Sequence, residues 1–126
     1  MAVILDAFAV IALLNHEAAG PRVLARVEAG ESAMCSVNLG EVLYVEARRV
    51  GDARALSAVG EIRRRVALVD PDWPLVRAAA FVKARHRLSY ADAFCVATAQ
   101  RMRAPLWTGD PEILALGDEL EVVDLR

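Results

Sequence analysis

Apolar runs of strand length alternate with longer stretches of helical period along this chain. Ala2 to Leu5 carries no polar side chain and reads as a strand buried on both faces, followed by a short helix to about Leu14. A second helix begins near Pro21, where proline suits the first turn, and stops at Gly30; Ala33 to Cys35 is a second strand. Ser36 is placed to cap a helix over about Val37 to Val50, which Gly51 closes. Asp52 caps a further helix through about Arg64, with Arg63, Arg64 and Arg65 where cations suit the helix dipole. Val66 to Val69 is a third strand. The Asp70-Pro71 turn leads into a helix from about Trp73 to His86, and Ser89 caps the next, which runs to about Met102. Pro105 to Trp107 is a fourth strand, Gly109-Asp110-Pro111 opens a short helix to Leu116, and Glu121 to Val123 is a fifth strand.

Strands alternating with helices make βαβ units. The pattern therefore predicts one domain over 1–126, a three-layer α/β/α sandwich around a parallel sheet of about five strands. In such open sheets the ligand crevice lies outside the carboxyl ends of the strands, at the point where the strand order reverses.

Four acids break the apolar pattern, and the predicted elements bring them to that edge. Ala2 to Leu14 holds a single polar side chain, Asp6, at the end of the first strand. Burying an ionised carboxylate without partners costs many kcal/mol, so a cation, hydrogen bonds or a raised pKa must accompany it. Glu41 and Asp92 stand in the opening turns of helices, and Asp110 just past the fourth strand. Each has a local reading as well. Ser89 to Asp92 matches a capping box, Asp110 suits a Gly-Asp-Pro turn, and Glu41 can be a solvated helix position. Their conjunction points to one built site.

Carboxylates without a usable histidine or thiolate select Mg²⁺, or alternatively Mn²⁺, over zinc, and such ions keep waters and bind phosphate. That chemistry is phosphodiester hydrolysis: a metal-bound water attacks phosphorus and the cation stabilises the charge that develops. Asp6 and Asp92 are the expected central metal ligands, with Glu41 a direct ligand or the holder of a coordinated water, and Asp110 an outer or second-metal ligand. Thr108 offers a hydroxyl to orient a carboxylate or a water. Asn38, one turn before Glu41, is a candidate contact for the scissile phosphate or a polar residue of a helix's first turn.

Composition narrows the partners. The net charge is −2, and Lys83 is the only lysine among the 15 basic residues, so there is no general polyanion-binding surface and any nucleic-acid contact is local. Arg85, Arg87, Arg101 and Arg103 flank the Asp92 helix as candidate phosphate contacts or as solvated helix ends. The apolar N-terminal run is about 13 residues and contains Asp6, too short for a membrane span and unlike a signal peptide, so a cytoplasmic location is expected. Cys35 and Cys95 have no metal-ligand spacing and read as buried free thiols; His16 and His86 read as surface residues.

The four acids, in order, resemble the motifs of the PIN-domain nucleases. Ile4-Leu5-Asp6 matches an aspartate ending an apolar strand, and Asn38-Leu39-Gly40-Glu41-Val42-Leu43 a glutamate just inside a helix. Ala91-Asp92-Ala93-Phe94 matches an aspartate opening an alanine-rich helix, and Thr108-Gly109-Asp110 a strand ending in Thr-x-Asp. In size the chain resembles the VapC-type toxins of toxin–antitoxin pairs. The resemblance implies an endoribonuclease that leaves a 3′-hydroxyl and a 5′-phosphate, an RNA substrate, a small antitoxin partner that can place an arginine among the acids, and a homodimer. Self-association also fits the 56% hydrophobic composition and the mean hydropathy of +0.33.

One departure stands out. Ala7 and Phe8 follow Asp6 where many relatives carry a small hydroxyl residue. The readings weighed against a nuclease are three. A phosphoaccepting receiver domain needs a second acid after strand one and a lysine ending a late strand. An aspartyl phosphatase needs an acid where Phe8 stands. A degenerate PIN domain acting only through protein contacts would not need all four acids.

Overall fold

The computed structural model describes residues 2–126. Strand β1, Val3–Leu5, lies at the centre of a five-stranded sheet of order β3-β2-β1-β4-β5, in which every described pair is parallel. The chain leaves β1 through α1, Ala7–Leu14, and α2, Gly20–Glu28, and returns in β2, Ser32–Cys35. It then passes through α3, Ser36–Val50, and α4, Asp52–Arg65, to the edge strand β3, Ala67–Val69. From there α5, Trp73–Arg85, and α6, Tyr90–Met102, carry it back across the sheet to β4, Leu106–Thr108, on the other side of β1. Helix α7, Pro111–Leu114, leads to β5, Val122–Asp124, at the opposite edge. The order reverses between β1 and β4, so the crevice at their carboxyl ends is the expected ligand position.

The alternation of strand side chains explains why both faces are covered. Val3, Leu5, Met34 and Trp107 pack with α1, α2, α3 and α4, whereas Ile4, Ala33, Cys35 and Leu106 pack beneath α5, α6 and α7. A period of two with apolar residues at every position needs helices on both sides, which is the three-layer arrangement that the sequence predicts. Trp107 gains more than apolar contact, because the guanidinium groups of Arg22 and Arg26 stand 5.1 and 5.4 Å from its ring centre.

The differences from expectation are at element ends. Cys35, not Ser36, is the residue before α3, and it caps nothing with its side chain; Gly51, at φ 88°, precedes α4, so Asp52 is inside that helix. Glycine closes one helix and opens the next there because a left-handed φ suits no other residue as well. Helix α7 ends at Leu114 rather than Leu116, and β5 is displaced by one residue from the expected Glu121 to Val123. Cys35 and Cys95 are both buried and free. His16 is exposed, but His86 is partly covered and stands 3.1 Å from the Glu119 carboxylate.

Candidate functional site

The carboxyl ends of β1 and β4 are adjacent because Leu5 pairs with Trp107 in register. One residue beyond each strand pair lies a polar side chain in an otherwise apolar layer. Asp6 ends β1 and caps α1, with Oδ1 accepting from the Ala9 amide at 2.9 Å, while Thr108 at the end of β4 donates its hydroxyl to Asp6 Oδ2. The Thr108 oxygen in turn accepts from the Asp110 amide at 2.9 Å. Asp110 caps α7 through the Glu112 amide, at 2.8 Å. A single chain of hydrogen bonds thus runs from the start of α1 through β4 to the start of α7.

The other two acids arrive from helices that cross at the same edge. Asn38, fully buried in the first turn of α3, donates from Nδ2 to the Ala91 carbonyl at 2.8 Å and so ties α3 to the start of α6. That tie sets Glu41 opposite Asp92. Ser89 caps α6, accepting from the Asp92 amide at 3.1 Å, and the Asp92 carboxylate lines the cleft. Asn38 has no exposed surface to offer a phosphate, and its placement is that of a brace.

Asp6, Glu41, Asp92 and Asp110 line one cleft of about 380 Å³, together with Ala7, Phe8, Ile11, Gly109 and Pro111. No lysine, arginine or histidine lines it among the described residues. The electrostatic consequence is large. Burial pushes the Asp6 carboxyl up to about 7, with the charges of Asp110 and Glu41 adding to it against the bonds from Thr108 and Ala9. Asp92 is likewise pushed up to about 7, by burial first and then by the charge and hydrogen bonding of Asp110. Glu41 is raised by burial and by the charge of Asp110 against a hydrogen bond from the Asn38 side chain, and its Oε1 is buried without a geometric hydrogen-bond partner.

These observations define a donor set for a divalent cation: hard carboxylate oxygens, one of them orphaned, in a cleft without a protein cation. As the side chains stand, no three acids, histidines or cysteines among the described residues are close enough to hold an ion. Like charges repel, and Asp6 is held by Thr108 and Ala9, so the fit rests on the chemistry of the set rather than on a preformed cage.

The PIN-domain model matches residues 3–119. This chain belongs to the PIN-domain family. The PIN fold is also what the solved structures share with it. A VapBC complex of Salmonella typhimurium bound to DNA has a chain with a TM-score of 0.79 at 14% identity, covering 100% of this chain and 99% of that one. VapC20 of Mycobacterium tuberculosis, a toxin that cleaves the sarcin-ricin loop, gives 0.74 at 23% identity over 92% of this chain and 95% of its own. A protein of Pyrobaculum aerophilum gives 0.69 at 27% identity, covering 98% and 92%. Among curated proteins, none matches the sequence.

The flanking arginines of this PIN domain are placed unequally. Arg101 reaches across to the Asp72 carboxylate at 2.7 Å, and Arg85 stacks over the Phe81 ring at 5.1 Å. Arg103 lines a separate cleft with Glu119 and Glu121. Arg87 lines a cleft of about 500 Å³ with His86 and Pro111, and Pro111 also borders the acid cleft. The sequence pattern does not mark Phe8 and Gly109 as cleft residues, nor Glu46 as buried. Glu46 is 1% exposed on α3, with Oε2 accepting from Arg49 at 2.8 Å and Oε1 unpartnered.

Thr108 gives a test of the hydrogen-bond chain. Thr108→Val leaves Asp6 Oδ2 and the Asp110 amide without their partner, and each buried polar group so stranded costs roughly 1–3 kcal/mol. Chemical denaturation should show a destabilisation of about 2 kcal/mol or more. A change near zero would mean that the hydroxyl does not hold Asp6.

Proposed function

We propose that this PIN domain is a metal-dependent endoribonuclease acting as the toxin of a toxin–antitoxin pair in the cytoplasm. The observation that carries the proposal is the cleft itself: four carboxylates gathered at the reversal of strand order, two of them, Asp6 and Asp92, pushed up to about 7, with no protein cation lining the cleft among the described residues. A cluster of this kind is unfavourable unless something positive enters it.

Asp6 and Asp92 would hold Mg²⁺ or Mn²⁺ at the centre, with Glu41 a direct ligand or the holder of a coordinated water and Asp110 an outer or second-metal ligand. When bound, the ion supplies Lewis acidity at phosphorus and lowers the pKa of a water. The chain's own residues prepare the cleft. Thr108 and the Ala9 amide fix the Asp6 carboxylate in one orientation, Asn38 holds α3 against α6, and the Asp110 cap fixes the start of α7. Ala7, Ile11 and Pro111 give the cleft an apolar wall beside the acids. The protons that Asp6 and Asp92 retain near neutral pH must leave as a cation enters, so binding is expected to release protons.

Purified protein incubated with single-stranded RNA and Mg²⁺ or Mn²⁺ should cut internally, leave 5′-phosphate ends that a ligase accepts, and stop when a chelator is added. Intact RNA under all these conditions would overturn the proposal.

Partner chemistry follows from the same charge. A small antitoxin that inserts an arginine among the acids would replace the cation and exclude substrate. A toxin–antitoxin complex of Klebsiella pneumoniae contains a chain of this fold, with a TM-score of 0.76 at 18% identity, which supports such a partner here. The large exposed apolar side chains Trp73, Phe81 and Leu56 support a homodimer. Light scattering at tens of micromolar should give the mass of a dimer, and a strictly monomeric protein would overturn that half. Inhibition should weaken when the partner's inserted arginine is replaced; an inhibitor seated far from the four acids would overturn the other half.

A further inference from the structure

Phe8 is the one aromatic ring in the acid cleft, and nothing in the proposed metal chemistry uses it. It stands on the first turn of α1, two residues after Asp6, and lines the cleft beside Asp92, Asp110 and Pro111 while remaining 40% exposed. Ala7, Ala9 and Val10 of the same helix are buried in the core, while Phe8 turns outward to the cleft. The far end of the ring packs against Gly109: a side chain at position 109 would run into it. Gly109 is not at a positive φ, so its lack of a side chain serves this close approach rather than a turn.

An exposed aromatic seated on bare backbone, next to the place a phosphate would occupy, has the chemistry of a stacking platform. Nucleobases of every type have a π face, and single strands are held by such rings without a hydrogen-bond code. We infer that Phe8, supported by Gly109, is the stacking platform for the base of the nucleotide next to the scissile phosphate of a single-stranded RNA. The inference rests on the nuclease reading above. Phe8 is a positioning residue for substrate, and the identity of the stacked base matters little beyond the larger face of a purine.

The test uses the full chain and a short single-stranded oligoribonucleotide that the wild type cuts at one position. Phe8→Leu keeps apolar bulk without a π face and should raise KM by about 10- to 100-fold with kcat changed only a few-fold. Phe8→Trp should restore a KM near that of wild type. Gly109→Ala keeps the ring but drives it off its seat, and should raise KM in the same direction. In the Asp92→Asn background, where binding is expected to continue without cleavage, 2-aminopurine placed at successive nucleotides should be quenched on binding at one position beside the cut. That quench should vanish with Phe8→Leu. Wild-type cleavage accompanied by unchanged KM and unchanged quenching in Phe8→Leu would overturn the inference while leaving the nuclease reading intact. Phe8→Leu that weakens only an inhibitory protein partner, with RNA KM unaltered, would also overturn it and assign the ring to that contact. A wild type that neither cuts nor binds RNA would overturn both.

Discussion

Asp6→Ala and Asp92→Ala should each lower the rate of RNA cleavage by about a thousandfold or more, in Mg²⁺ and in Mn²⁺ alike. The expectation follows from where the two carboxylates stand. Both line the cleft at the strand-order reversal, both are pushed up to about 7, and neither has a protein cation in that cleft to satisfy it. Removing a ligand that organises a cation at phosphorus forfeits several kcal/mol of stabilisation in the transition state, and about 4 kcal/mol is roughly a thousandfold in rate. Glu41→Ala and Asp110→Ala should cost less if they hold a water or a second ion, and Thr108→Val less again, about 10- to 100-fold, because it acts through Asp6. Single-turnover cleavage of a labelled RNA checks the order. Equal rates for wild type and Asp6→Asn would overturn the metal-ligand assignment, since the amide keeps the shape of the side chain and loses its charge.

The layers and the gathering of the acids were legible because burial imposes simple rules on sequence. A strand covered on both faces has no polar position, so Ala2 to Leu5 announces itself, and an acid directly after it has little choice but to face a site. Asp6, Glu41 and Asp110 follow strands β1, β2 and β4, so a parallel sheet places them at one edge, and Asp92, at the start of α6 after α5, joins them where α6 meets α3. What stayed hidden depends on side-chain orientation across distant segments. Phe8 sits in an apolar run that reads as core, and only the approach of Gly109, a hundred residues on in the chain, shows that its ring lies at the cleft. Asn38 reads equally well as a phosphate contact or a first-turn polar residue until the Ala91 carbonyl appears opposite its amide. Glu46 stands two residues after Tyr44 and two before a pair of arginines, a context that reads as solvated helix; its burial comes from the packing of α3. Helix ends drifted for a local reason: Cys35 and Gly51 start helices without the side-chain hydrogen bond that a capping pattern looks for.

The second large effect is on stability, and its sign runs opposite to that of most charge-removing substitutions in a protein interior. A carboxyl whose folded pKa lies above its unfolded value holds its proton longer when folded, so its contribution is fully present below the unfolded pKa and is lost as pH rises through the folded one. For Asp6 that window runs from 3.8 to about 7, a shift that corresponds to roughly 4 kcal/mol over its whole span. Asp92 acts in the same direction over the same window, and Glu41 adds to it. Asp72 and Asp124 are lowered instead, by Arg101 and Arg126, so their contributions change only in more acidic solution and leave this window alone. In chelator the melting temperature should therefore fall between about pH 5.5 and pH 8 by on the order of 10 °C. Mg²⁺ at pH 8 should restore much of that loss, because an ion that binds the folded state alone stabilises it by mass action. Asp92→Asn is the cleaner probe than Asp6→Asn: Asp6 also caps α1 and receives the Thr108 hydroxyl, so its amide would oppose a donor already in place. At pH 8 without metal, Asp92→Asn should raise the melting temperature by several degrees, flatten its pH dependence, and abolish the shift produced by Mg²⁺, while eliminating cleavage. Differential scanning calorimetry across this pH range decides the matter. A metal-free protein that grows more stable from pH 5.5 to 8, or an Asp92→Asn variant that melts far below wild type, would mean that the carboxylates are held by the fold for its own sake and not kept in tension for a cation.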